Sequence, residues 1–207
     1  MTTTSIALWR SNDSIDVPSD ASSADTLAPY ARQLRPIDIE KIQRAFQAGL
    51  FELAVEFVWK RTMAILKRQL GDMGMSFVGE MLARPDIDEY SSVELVVTDY
   101  DSIQLSHQLG MINSIGAMEL RHGAELLSHY ASPNAEDRDE LSKIQALHIL
   151  HSCIAHVLAR EKIELNFDFA NFRHSLTQSV LAEDDEKVQY LTNAPYFYKR
   201  TVVRCIA

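Results

Sequence analysis

The chain predicts an all-α fold, an antiparallel helical bundle of about six to eight helices with a mobile N-terminal tail. Three observations predict it. Apolar residues recur at three- and four-residue intervals through the middle of the chain, the spacing of a buried helix face. Seven Gly and six Pro in 207 residues are too few for the many turns of an all-β protein. Capping residues and glycines stand where those apolar patterns start and stop.

Residues 1–34 are rich in Ser, Thr, Asp and Ala and poor in large apolar side chains, so most of that stretch lacks the surface to offset its ordering entropy. Within it, Ile6, Leu8 and Trp9 form a short patch able to dock as a strand or hook. Order is expected from Pro36, which suits a helix's first turn, through Ala48, with a turn at Gly49. Leu50 to Leu70 reads as a long helix with Leu50, Leu53, Ala54, Phe57, Val58 and Ile65 on its buried face. Glu56, Lys60 and Lys67 mark its wet side, and Gly71 closes it. Met75 to Leu82 supplies a short helix before Arg84-Pro85.

Asp86 to Val97 is a connector in which VELVV is the one candidate for a strand. Thr98 and Asp101 have the spacing of a capping box, so a helix should run from Asp99 to Leu109 and end at Gly110. The central helix follows and stops at Ser132-Pro133, because proline disfavours helical geometry in the residue before it. Asn134 and Asp137 suggest the next cap, with Glu136, Asp137, Asp139 and Glu140 in a first turn that favours acids. That helix should reach Arg160, with Ile144, Leu147, Leu150, Ile154, Val157 and Leu158 on its broad apolar face and His151 among them. Helices over 167–181 and 184–191 and an apolar, basic end at 195–207 complete the chain, giving three regions: 1–34, a bundle over 35–163, and a C-terminal helical appendage over 164–207.

A formal charge of −9 argues against broad binding to DNA, which depends on many Lys and Arg contacts to phosphate. Two isolated cysteines, Cys153 and Cys205, give neither a disulfide framework nor a zinc-knuckle spacing, and no run is apolar enough for a membrane span. The expectations are a cytoplasmic protein with no cofactor and no membrane partner. Phosphate-binding glycine loops, the GxSxG elbow and HEXXH are missing.

The central helix concentrates the chemistry. At about 100° per residue, His122 and His129 share a stripe with Ile115, Met118 and Leu126. Arg121 and Glu125 lie beside it, and Gly116 and Gly123 form a second stripe that lets a neighbour approach closely. A histidine exchanges protons near neutral pH and an arginine holds phosphate through paired hydrogen bonds. Arg121, His122 and His129 therefore suit metal-independent cleavage of RNA, with Glu125 beside them as a binding residue. The plainer reading is a surface Arg121–Glu125 pair with two histidines at the edge of a core. On the next helix, Gln145, His148, Ser152, His156 and Arg160 form a narrow polar stripe. His148 and His156 stand about 12 Å apart along that helix, too far to share one metal. That stripe is either a wet face or the lining of a cleft opposite the central helix. Arg173-His174 reads as surface.

The run ELRHGAELLSHYASPN followed by a long apolar helix resembles the HEPN superfamily over roughly residues 37–163. The resemblance implies a compact helical bundle from bacterial toxin and antiphage systems, acting as a dimeric metal-independent RNase or as an inactive binding module. The family's motif is an arginine followed by a polar residue and, after a short spacer, a histidine. Here Arg121 is followed by His122, and seven residues separate Arg121 from His129. The resemblance implies that Arg121 holds the scissile phosphate and that His122 or His129 moves the proton. RNA and a second copy are the partners it suggests, while a protein bound through the apolar C-terminal segment or the central groove belongs to the alternative reading. The alternative is a non-catalytic helical adaptor, and a sensor with histidines lining a pocket is a third reading.

Overall fold

The structure, a computed structural model, describes residues 17–132 and 140–160 together with 175, 178, 182–185, 188, 189, 192 and 199. Among these residues the fold is all-α: α1 (Ala24–Leu27), a 3-10 turn (Ala28–Tyr30), α2 (Pro36–Gln47), α3 (Phe51–Gly71), α4 (Met75–Leu82), α5 (Val93–Val96), α6 (Asp99–Gln108), α7 (Ser114–Tyr130) and α8 (Lys143–Cys153), the last continuing as a π turn over Ile154–Leu158. The helices expected over 167–181 and 184–191, the basic C-terminal end, the caps at Asn134 and Asp137, and the Ile6–Trp9 patch lie outside the described residues. No helix among the described residues is long and apolar enough to cross a membrane.

The stretch read as one bundle divides into two compact units. One contains Lys67–Met111; the other contains the described residues up to Leu66 and those from Ile112 to Arg160. In the first, Leu70, Phe77, Val78, Leu105 and Leu109 are almost wholly buried and make its core. The predicted capping box is present: Thr98 Oγ1 accepts the Asp101 N–H and Asp101 Oδ2 accepts the Thr98 N–H, both at 3.1 Å. VELVV is a helical turn over Val93–Val96, not a strand. Lys67, assigned to the wet side, keeps only 11% of its side chain exposed and sits 2.9 Å from Asp99.

In the second unit order starts before Pro36. Ser23 caps α1 by accepting the Thr26 N–H, and Leu27, Ala28 and Ala31 are fully buried. Small residues bury little area each, which is why composition understates this segment. Asp38 in the first turn of α2 is 2% exposed, and the Arg35 guanidinium, bonded to both its oxygens, holds its carboxyl below the usual range. Of the face expected here, Ala54, Val58 and Ile65 are buried, with Val55, Thr62 and Leu66 beside them, whereas Leu53 and Leu50, which precedes α3, are 62% and 53% exposed. Periodicity locates an apolar arc, but which edge of the arc meets a neighbour is decided by packing. Phe57, on that edge, lies beneath the Arg61 guanidinium at 5.2 Å.

α8 starts at Lys143. Ser142 and Gln145 form a capping box of their own, so Glu140 precedes the helix instead of filling its first turn. Ile144, placed on the apolar face, is 81% exposed in the first turn, while Leu150, Ile154, Val157 and Leu158 are buried as expected.

Candidate functional site

α7 and α8 run antiparallel, with side chains paired along their length: Gly116 with His156, Glu119 with Ser152, His122 with His148 and Tyr130 with Gln145. Asn113 starts α7 by accepting the Gly116 N–H at 2.7 Å. The two glycines then act as their spacing predicts. Gly116 makes room for the His156 ring, and Gly123 lets Trp59 of α3 and Ile149 of α8 approach to 3.3 and 3.6 Å of where a Cβ would stand.

The polar centre of this seam is Glu119, one turn beyond Gly116. Its Oε2 lies 2.9 Å from His156 Nε2 and 3.0 Å from Ser152 Oγ. Ser152 Oγ also lies 2.9 Å from the His148 carbonyl, the back-bonding position of a helical serine. His156 stands in the π turn, where the wider i→i+5 register re-aims side chains, and such turns recur at functional sites. Burial pushes the Glu119 carboxyl up, but hydrogen bonds from His156 and Ser152 and the nearby His156 and His148 rings outweigh it, leaving the group below its ordinary value.

Serine, histidine and a carboxylate are together here, but not in the order of a nucleophilic triad. In a triad the imidazole stands between the hydroxyl and the acid and takes the hydroxyl proton. Here the carboxylate stands between the other two, and Ser152 is 1% exposed. The arrangement holds His156 in place and does not activate Ser152.

Outward along the seam the rings of His122 and His148 meet edge-on, centroids 6.1 Å apart, both exposed. His129 is exposed about 10 Å further along α7 by the helix rise. Its ring packs edge-on against Tyr130 at 5.2 Å. Arg121 is half-exposed and Glu125 exposed, and no ion pair joins them. Of the sequence candidates, then, His148, Ser152 and His156 gather on one seam, with His122 beside His148. Arg121 and His129 stand apart from that group on α7. Ile115 and Met118, on the same stripe as His122, are 59% and 60% exposed and form no part of the core.

Sequence reasoning missed Glu119. The signal was its place three residues after Gly116, flanking the glycine stripe, but only the register of α7 on α8 identifies its partners. His151, on the apolar face as expected, has its Nε2 buried with no hydrogen-bond partner among the described residues. Among the described residues no group of three His, Cys, Asp or Glu side chains is arranged to hold a metal ion. No protein-family model, curated protein or solved structure matches the chain.

Proposed function

We propose that the chain is a HEPN-like helical module that cleaves RNA without a metal, with its acid–base chemistry on the α7–α8 seam. The observation that carries this reading is the exposed pair His122 and His148, two imidazoles on neighbouring helices whose centroids are 6.1 Å apart. That spacing lets the two rings flank one phosphate. One imidazole takes the proton of the ribose 2′-hydroxyl as that oxygen attacks phosphorus. The other gives a proton to the departing 5′-oxygen, leaving a 2′,3′-cyclic phosphate and a 5′-hydroxyl. Arg121 stands outside that pair on α7, half-exposed and with no ion pair among the described residues, and is the nearest arginine in sequence for the phosphate charge. Glu119 and His156 support the seam from below.

The test is single-stranded RNA incubated in chelator with wild type and with His122→Ala, His148→Ala, Arg121→Ala and His129→Ala. Loss of general acid or base help should slow the first two by about a hundredfold or more. Equal cleavage by His122→Ala, His148→Ala and wild type removes these residues from the mechanism, and an inert wild type removes the reaction.

A second reading has its own observation. Ile115 and Met118 present apolar surface beside His122, while Glu119, Ser152 and His156 are occupied with one another. A non-catalytic adaptor would use that face to bind a protein. Photo-crosslinkers placed at positions 115 and 118, with one at exposed position 60 as control, separate the two readings: an adaptor captures a single defined partner at the first two positions and leaves RNA intact.

A further inference from the structure

The spacing of histidines along α8 rules out a shared metal within that helix, because His148 and His156 stand about 12 Å apart by the helix rise. The antiparallel register of α7 on α8 creates a different pair. His122 and His148 come from facing helices, both exposed, with ring centroids 6.1 Å apart and planes at 81°. His156 is held by Glu119 at 2.9 Å, whereas the His122 and His148 rings have no hydrogen bond among the described residues.

That separation is close to what one metal ion requires. An imidazole nitrogen binds zinc at about 2.0–2.1 Å, which puts each ring centroid about 3.2 Å from the ion. Two such rings at a tetrahedral angle have centroids about 5 Å apart. A small rotation of either exposed ring about its side-chain bonds closes the difference. The surrounding charge also suits a cation. Glu119 and Glu125 stand three residues before and three after His122, on the same side of α7, against the one guanidinium of Arg121.

We propose that His122 and His148 together bind one divalent transition-metal ion of the kind that neutral imidazole prefers, with zinc as the type. Two protein groups leave two positions of a tetrahedral ion to water, so the ion is exchangeable, unlike a structural zinc closed by four side chains. A ring nitrogen that holds the ion can neither give nor take a proton. The bound ion would therefore switch off the acid–base pair, a consequence that rests on the RNA-cleavage reading, whereas the binding itself does not.

The test is calorimetric titration of the full chain with zinc at about pH 7.5 and without RNA, with magnesium, which prefers oxygen ligands, as control. Wild type should bind one equivalent of zinc that His122→Ala and His148→Ala each weaken by at least about tenfold, the least that even a supporting group is worth to a metal site. His129→Ala should bind as wild type does. In wild-type NMR spectra the His122 and His148 ring signals should shift together as that equivalent is added, while those of His156 stay. If either variant fails to fold, these signals decide. A wild type that binds no zinc, affinity unchanged in either variant, equal binding of magnesium, or another histidine responding first overturns the proposal. An inert wild type in the RNA assay counts against cleavage alone, because the titration needs no RNA.

Discussion

Gly116 lies so close beneath His156 that a Cβ built on the glycine would stand 2.7 Å from both Cγ and Nδ1 of the ring. Real Cβ contacts are not that short, so the missing side chain is what allows the histidine to reach Glu119, 2.9 Å from its Nε2.

Gly116→Ala should therefore destabilise the protein by about 1–3 kcal/mol, the usual cost of overpacking. That loss comes in spite of the intrinsic helix gain of up to about 1 kcal/mol that replacing a glycine brings. Gly123→Ala is the contrast: its Cβ would meet the Trp59 ring at 3.3 Å, a contact a small shift relieves, and the net change should be near zero. Urea unfolding of both variants checks the difference, and the His156 ring signals should move only in the first.

Glu119 makes stability depend on pH with a definite sign. Its folded pKa lies below the ordinary 4.5, so it contributes stability above that value and loses it as pH falls through the folded pKa. Between about pH 5 and about pH 3 the unfolding free energy of the wild type should fall more steeply than that of Glu119→Gln. Parallel slopes would show that the carboxylate is not held by His156 and Ser152 as described.

Cys153 should be inert in the folded state. It is fully buried, and burial pushes its thiol up to about 12 despite the hydrogen bond to the Thr62 side chain. Only the thiolate reacts readily with alkylating reagents. Iodoacetamide at neutral pH, followed by peptide mass mapping, should leave the Cys153 peptide unmodified until denaturant is added.

The two capping boxes predict similar effects from separate units. Thr98→Ala and Ser142→Ala should each cost about 1 kcal/mol in denaturant unfolding, because each leaves N–H groups of a first turn unpaired. Gln145→Ala should cost more than Ser142→Ala, since its Oε1 also accepts from the Tyr130 hydroxyl at 3.3 Å and so ties α8 to α7.

Local rules carried the element map a long way. The Thr98–Asp101 box, the proline at the head of α2 and the short helix from Met75 to Leu82 were legible because each depends on a few neighbouring residues. The strand suggested by VELVV failed for the same locality: β-branched composition is a weak preference that one helical turn overrides. The acids before α8 could not be weighed against Ser142 and Gln145, whose reciprocal bonds set the true start.

The sequence by itself determined the helical class, most helix ends, the close approach at two glycines, and the set of histidines worth following. Tertiary structure alone decided which of them meet. Periodicity gives an angle around one helix, whereas contact requires the axial register between two, and no single-helix pattern contains it. That register brings Glu119 to Ser152 and His156 and sets His122 beside His148, while it leaves Arg121 and His129 outside the cluster. Burial followed the same logic: Leu53 and Met118 lie on apolar arcs yet face solvent, because no element among the described residues covers them at their level.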